Sequence, residues 1–137
     1  MAKYVNKDAV IKVNSVDLSD HVSSVNVVSE KERVDVTGMT SSAYREETDG
    51  FATAEITLTF FQDYAASSVD ATLYPLYTGG SIIDVSVKPQ AGGTTVWHLT
   101  QAKLYNYNPT SGGVGDASSF DATFSNAGSA GLTRGTV

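Results

Sequence analysis

Several kinds of residue and segment are missing from this chain of 137 residues. It has no cysteine, which excludes a disulfide framework and a thiolate metal site. No run of about 20 apolar residues occurs, and no apolar run follows Met1, so we expect neither a membrane span nor a signal peptide. Lysine and arginine number 9 against 15 aspartate and glutamate residues, a formal charge of -6. This balance argues against a surface that grips DNA.

Residue patterns for catalysis are also missing. His21 and His98 lie in different strand-like segments, and neither has a second histidine at metal-ligand spacing. The Gly-x-Ser-x-Gly pattern does not occur, and Glu46 and Glu47 lie in a polar stretch where charges are solvated. We therefore predict a protein that is not an enzyme and that has no cofactor and no metal site.

The segment from residue 50 to residue 89 has the clearest pattern. Residues 52–60 read Ala-Thr-Ala-Glu-Ile-Thr-Leu-Thr-Phe and alternate between apolar and polar, which predicts a half-buried strand. A short helix follows, capped by Ser67 or Ser68, with one apolar stripe made of Val69, Leu73, Leu76 and Tyr77. Residues 83–87 alternate again, so the predicted order is strand, short helix, strand.

Further strands are predicted at 10–13, 21–28, 34–36, 96–107 and 119–125. Six or seven strands with one short helix favour a mainly β fold, an antiparallel β-sandwich or barrel with one flanking α-helix. The chain is expected to be a single domain over 1–137. Flexible arms are expected at 1–8 and at 126–137, where the Gly/Ser/Ala-rich composition leaves little to bury.

A long polar stretch, TGMTSSAYREETDG, occupies residues 37–50. Loops of this length inside a compact domain are usually either functional or disordered. The stretch carries residues suited to polar contacts with a partner: Tyr44, Arg45, Glu46, Glu47 and Asp49. A solvated surface loop explains the same composition equally well.

These features together resemble the tail tube (major tail) proteins of long-tailed bacteriophages. The resemblance lies in the loop with Tyr44-Arg45-Glu46, in AEITLTFF at 54–61, in VDATLY at 69–74, in the strand at 82–87 and in GDASSFDATF at 115–124. It covers residues 34–125, about two thirds of the chain. Unlike for longer members of the family, we expect no appended immunoglobulin-like domain.

The resemblance implies a structural virion protein, made in the bacterial host cytoplasm, whose hexameric rings stack into the phage tail tube. Its implied partners are further copies of itself and the tape measure, tail tip and tail terminator proteins. Genomic DNA would pass through without tight binding, and no membrane would be involved. The loop would contact the next ring through Tyr44, Arg45, Glu46, Glu47 and Asp49.

The polar face of the strand at 52–60 suits the inner wall of such a tube. Small hydroxyls and like charge keep phosphates from docking, so Thr53, Glu55, Thr57 and Thr59 are the candidates for facing the lumen. Without the resemblance, an ordinary solvated sheet face is the simpler interpretation.

Two other classes of function remain open. A neck, tail terminator or head decoration protein of the same virion would share the short fold but form a single ring or a capsid contact. A carbohydrate-binding or adhesin-like β module would need Trp97, Tyr105 and Tyr107 exposed on one face.

Overall fold

A computed structural model describes Val5 and residues 7–39 and 44–136 of the chain. Within these ranges the backbone forms eight strands, one α-helix and a short 3-10 turn at Ser19–His21. The elements in chain order are β1 Val10–Val13, β2 Val16–Asp17, β3 Val22–Asp35, β4 Glu47–Phe61, α1 Val69–Gly79, β5 Ile83–Lys88, β6 Thr95–Asn106, β7 Ser119–Asn126 and β8 Leu132–Thr136.

All the strands belong to one antiparallel sheet. Its order is β2-β1-β5-β6-β7-β4-β3, and β8 pairs with β6. The prediction of a mainly β fold with one short helix is confirmed, and so is the order β4, α1, β5. The strands that flank the helix are not neighbours, however, because β6 and β7 lie between them.

The sheet curves around a single core. Ile11 of β1 and Leu58 of β4 stand far apart in the strand order, yet both are buried in the same apolar cluster. The cluster contains the alternate residues of β4, β5 and β7 that the sequence pattern predicted, among them Phe60, Val85 and Phe124. Because strands at distant positions share one cluster, a single sheet encloses the core.

Helix α1 completes this core from one side. Its Val69, Leu73 and Leu76 are buried, as the apolar stripe predicted, whereas Tyr77 is 47% exposed. Ser68 is the N-cap residue, and Gly80 ends the helix in the left-handed region with φ 63°. Glycine adopts that conformation without the steric cost that other residues meet.

The end of the chain differs from the expectation of an arm over 126–137. Residues Leu132–Thr136 form β8, which pairs with the first half of β6 from Thr95 to Leu99. Leu132 also packs against the core. The connection before β8 is fixed by Gln101, whose backbone carbonyl accepts from the Ala127 N–H and whose side-chain carbonyl accepts from the Ala130 N–H. At the other end, residues 1–4 and 6 of the predicted arm lie outside the described residues.

Candidate interaction surfaces

The hairpin of β3 and β4 extends beyond the rest of the sheet. Strand β7 pairs with β4 from Glu55 to Phe61, whereas the pairing of β3 with β4 continues to Asp35 and Glu47. We call residues 29–39 and 44–53 the arm. Every one of these residues is exposed. A two-stranded ribbon with both faces in solvent gains little from burial, so the arm offers surface beyond what folding needs.

The structure of the arm differs from the predicted loop at 37–50. Glu47 and Asp49 lie inside β4, and the connection between the strands is shorter, from residue 36 to residue 46. Tyr44, Arg45 and Glu46 remain in this connection. The sequence did not reveal the strands here because both faces are exposed, which leaves no alternation of apolar and polar residues.

Three ion pairs cross the arm. Lys31 Nζ lies 3.4 Å from Asp49 Oδ2, Arg33 Nε lies 3.7 Å from Glu47 Oε2, and Arg45 Nη1 lies 2.8 Å from Asp35 Oδ2. Exposed pairs of this kind contribute about 0–1 kcal/mol each. They fix the register of the ribbon more than they stabilise the fold.

Asp35 organises the end of the arm. The hydroxyl and N–H of Thr37 lower the pKa of this carboxyl, and the Arg45 guanidinium lowers it further. In addition, the Thr37 hydroxyl accepts from the Glu46 N–H at 2.7 Å, and the Val36 N–H donates to the Glu46 carbonyl at 2.9 Å. These contacts hold together the two backbone segments, residues 35–37 and 45–46, that lead into the connection between β3 and β4.

A β-bulge bends the middle of the arm. Lys31 pairs with Ala52 and Arg33 with Asp49, so Gly50 and Phe51 together oppose Glu32. A Cβ on Gly50 would lie 3.0 Å from Val34 Cγ2, so glycine permits the close approach of the two strands. Gly50 therefore belongs to strand β4, inside the stretch for which the sequence predicted a loop.

The outer face of β4 carries the predicted lumen residues. Ala54, Ile56 and Leu58 are buried on the inner face. The alternation therefore places Thr53, Glu55, Thr57 and Thr59 on the opposite side, away from the core.

This outer face continues onto the two neighbouring strands. Thr59 Oγ1 donates to Asp121 Oδ1 at 2.7 Å and accepts from Ser24 Oγ at 3.0 Å, and Ser125 Oγ donates to Glu55 Oε2 at 3.4 Å. We call the set the hydroxyl face: Ser24, Glu55, Thr57, Thr59, Asp121 and Ser125. The sequence analysis did not nominate Asp121 and Ser125. The alternation of apolar and polar residues in β7 is the signal that could have identified them.

A second surface lies where β4 ends and α1 begins. Tyr64, Tyr74, Tyr77 and Tyr107 line a cavity of about 430 Å³, together with Asp70, Pro109 and Thr110. We call it the tyrosine groove. Sequence reasoning missed it because its members come from three separate segments: the link after β4, helix α1 and the connection after β6. Of the aromatic residues nominated for carbohydrate binding, Tyr105 is exposed, whereas Trp97 and Tyr107 are partly buried.

Hydrogen bonds hold the groove in shape. Tyr107 donates to Asp70 Oδ1 at 2.5 Å, and the Tyr64 hydroxyl donates to the Pro109 carbonyl at 2.9 Å. Gln62 Nε2 donates to the same carbonyl at 2.6 Å and to the Tyr107 oxygen at 3.2 Å. Burial, followed by the bond to Asp70, raises the pKa of Tyr107 to about 12. The groove is therefore a rigid aromatic surface at neutral pH.

Asp63 positions the groove by fixing the link from β4 to α1. Its carboxylate accepts from the Ala65 N–H at 2.9 Å and from the Ser68 hydroxyl at 2.8 Å, and it contacts His21 Nε2 at 2.9 Å. These three donors, the Ala65 N–H first, lower the pKa of Asp63. His21 is thus engaged in this link.

The described residues contain no group of three or more His, Cys, Asp or Glu side chains placed to hold a metal ion. Asp17, at the end of β2, accepts from the Ser19 N–H at 3.0 Å, which is ordinary turn chemistry. Within the same ranges, no helix has the length and apolar character needed to cross a bilayer.

Comparison with solved structures shows that other proteins share the fold of this chain. A chain in the virion of a native gene transfer agent (GTA) particle superposes with a TM-score of 0.76 at 19% identity, over 96% of this chain and 99% of that one. The fold is tail-tube-like. A chain in the tail of an empty GTA particle with C6 symmetry matches with a TM-score of 0.67 at 19% identity, over 82% of this chain and 81% of that one.

The tail-tube-like fold also occurs in a contractile machine. A chain in the sheath/tube terminator of an extracellular contractile injection system, PVC, in its extended state, matches with a TM-score of 0.75 at 11% identity, over 98% of this chain and 97% of that one. No protein-family model and no curated protein sequence matches. At these identities the likeness establishes the fold, which alone does not choose a function.

Proposed function

We propose that this chain is a structural subunit of a phage-like tail tube. Copies form hexameric rings, and the rings stack into a tube through which DNA passes. The observation that carries the proposal is the match over nearly the full length of both chains to a protein of a GTA virion. The matching tail has C6 symmetry, which supports six copies in each ring.

The arm supports this role on physical grounds. An exposed projection on a small domain is stabilised when it lies against another molecule. In the proposed tube, Tyr44, Arg45, Glu46, Glu47 and Asp49 contact the next ring. Tyrosine and arginine are residue types that carry much of the binding energy at interfaces.

Electron microscopy of the purified, concentrated protein tests the assembly. We expect rings and tubes of uniform diameter. A protein that stays monomeric at high concentration, and that is also absent from purified particles, would overturn the proposal.

The hydroxyl face is the proposed inner wall. It combines hydroxyls with the carboxylates of Glu55 and Asp121, a surface that repels phosphates and stays hydrated. Glu55, Thr57 and Thr59 are the residues of β4 in this wall, and Thr53, on the same side of β4, extends it to the base of the arm.

A charge reversal tests this placement. Glu55→Lys leaves assembly intact, because exposed substitutions usually change stability by less than about 0.5 kcal/mol. In particles it slows DNA release in a manner that depends on salt, since each ring presents six new cations. Lys12→Glu, at an exposed site on β1, which pairs with β2 and β5 and not with β4, serves as the control and leaves release unchanged. Release at the normal rate from Glu55→Lys particles at low salt would argue against the placement.

A tube terminator is the second candidate, favoured by the match to the sheath/tube terminator structure. A terminator forms one ring that caps a tube made by another protein. Purified protein that gives single rings at every concentration, and that binds the end of preformed tubes, would favour this candidate over the tube subunit.

Under the proposal the remaining assignments follow. The protein is not an enzyme, has no cofactor and resides in the virion after synthesis in the host cytoplasm. Besides its own copies, its partners are the tape measure, tail tip and tail terminator proteins.

A further inference from the structure

The tyrosine groove contains a carboxylate with no cation beside it. Asp70 lies in the first turn of α1, and its Oδ1 accepts from the Tyr107 hydroxyl. The described residues that line the groove include no lysine, arginine or histidine. The ion pairs in the described part of the chain all join other residues. The charge of Asp70 is therefore available to a ligand that enters the groove.

Aromatic rings form the walls next to this carboxylate. The ring centroids of Tyr74 and Tyr77 lie 6.5 Å and 6.4 Å from that of Tyr107, and the two rings are inclined to it by 48° and 45°. Tyr74 and Tyr77 are each about half exposed, so part of each ring is accessible. The face of an aromatic ring is negative and attracts a cation that lies within about 6 Å of the ring centroid. Several ring faces beside a carboxylate are a suitable environment for a cation.

The other polar groups of the groove are already hydrogen-bonded. The Pro109 carbonyl accepts from Gln62 Nε2 and from the Tyr64 hydroxyl. The Tyr107 oxygen accepts from the same Gln62 nitrogen at 3.2 Å. The Tyr64 and Thr110 hydroxyls bond to each other at 3.1 Å. A lysine ammonium brings three N–H donors and a sugar brings several hydroxyls, and each of these groups costs free energy if it is buried without a partner. A cation without N–H groups does not carry this cost.

We propose that the tyrosine groove binds a small organic cation of the quaternary ammonium class, one with the trimethylammonium group of choline. Its methyl groups pack against the rings of Tyr74, Tyr77 and Tyr107. Asp70 supplies the opposite charge. The cavity, at about 430 Å³, has the size of small-ligand sites, about 300–1,000 Å³. This binding site is additional to the proposed tube function and does not depend on it.

A pair of ligands with the same shape tests the role of charge. Dimethylbutanol is the neutral analogue of choline in which a carbon atom replaces the nitrogen. Saturation-transfer NMR detects the binding of either molecule to the purified protein at neutral pH, whether the protein is free or assembled. We expect saturable transfer to the methyl groups of choline. The alcohol should bind at least about fivefold more weakly, because it makes no cation–π contact.

Substitutions in the groove separate charge from apolar packing. Asp70→Asn keeps a side-chain oxygen but removes the charge, and Tyr74→Leu combined with Tyr77→Leu keeps apolar bulk but removes two ring faces. Each change should raise the dissociation constant of choline about five- to thirtyfold. Glu30→Gln and Tyr105→Leu alter exposed residues that do not line the groove, and these matched controls should leave the dissociation constant unchanged.

The outcomes decide the proposal. Choline binding that the alcohol does not share, and that both groove variants weaken, supports it. Transfer that does not saturate at tens of millimolar choline, equal binding of the alcohol, or unchanged binding in both groove variants overturns it. Tighter binding of acetyl-lysine amide than of choline also overturns it, because that result indicates a lysine side chain of a partner protein as the occupant.

Vesicles identify the source of the trimethylammonium group once choline binding is established. The group occurs both in free small molecules and in phosphocholine headgroups. Co-sedimentation of the protein with phosphatidylcholine vesicles, absent with phosphatidylglycerol vesicles and abolished by free choline, supports a headgroup as the ligand. Choline binding without co-sedimentation supports a free cation.

Discussion

The two halves of strand β4 follow different rules within one continuous element. From Ala54 to Phe60, alternate side chains are buried in the core and the strand has neighbours on both sides. From Glu47 to Thr53, every residue is exposed, and the half pairs with β3 in the arm. The half that the sequence pattern identified, from Ala54 to Phe60, is the half whose side chains form part of the core. The other half is exposed throughout, and we propose that it serves contacts with other molecules.

The largest expected effect comes from removing the arm. Lys31 and Ala52 are direct cross-strand partners, so a two-residue Asn-Gly turn can replace residues 32–51 and close the hairpin there. We expect an almost unchanged unfolding temperature, because long exposed segments contribute little to stability. Electron micrographs of the same samples should contain no tubes.

The matched control alters a different exposed site. Val114→Ser changes a side chain in the connection before β7 that is fully exposed, and this variant should assemble normally. Tubes from the shortened protein would show that the arm is dispensable and that the two halves of β4 do not divide folding from assembly.

A pair of truncations on the same strand gives the next largest effect. Leu58 is completely buried, and Leu58→Ala should lower the free energy of unfolding by about 2–5 kcal/mol. Phe51 is 86% exposed, so Phe51→Ala should change it by less than about 0.5 kcal/mol. Chemical denaturation of both variants measures the difference. Equal losses would mean that the arm packs on the domain in solution.

The third prediction concerns the body of the domain at high pH. The pKa of Tyr107 in the folded protein is about 12, above the ordinary value of 10.0. The folded protein therefore keeps this proton after the unfolded chain has lost it, and the stability from the neutral hydroxyl is complete below pH 10 and is lost as the pH rises towards 12.

Tyr107→Phe removes this contribution. Its unfolding temperature should fall less steeply than that of the wild type between pH 9 and about 11.5. Tyr105→Phe, at an exposed site, should reproduce the wild-type slope. Identical slopes for all three proteins would place the Tyr107 hydroxyl outside the hydrogen-bonded groove.

The smallest expected effect is confined to the arm. The pKa of Asp35 is lowered below 3.8 by Thr37 and Arg45, so its contribution is present above that pH and is lost on acidification through the folded pKa. Asp35→Asn should speed hydrogen exchange at the Val36 amide at neutral pH while leaving the Leu58 amide protected. Slower exchange throughout the chain, or loss of protection at Leu58, would contradict a purely local role.

Much of the domain was predictable because burial leaves a pattern in the sequence. The alternation at Ala54–Phe60 and at Phe120–Phe124 and the helical stripe through Leu73 all identified core elements that the structure contains. The same alternation located the polar outer face of β4. In these segments each residue type is determined by which side of the element meets the core.

The remainder left no such pattern. The arm strands face solvent on both sides, so the run from Glu30 to Arg33 has no alternation of apolar and polar residues. Strand β8 was hidden by its glycine and threonine content, since its pairing with β6 depends on backbone hydrogen bonds. The tyrosine groove depends on tertiary structure, because Tyr64, Tyr74 and Tyr107 come together only when α1 folds onto the sheet.

Strand β8 has a consequence for solubility. It continues the line of β7 along the same side of β6 and occupies the backbone donors and acceptors of Thr95–Leu99. Without β8, the unpaired backbone groups on this side of β6 would be a template on which another chain could add a strand. By occupying this side, residues 132–136 keep the first half of β6 unavailable for strand pairing with another chain.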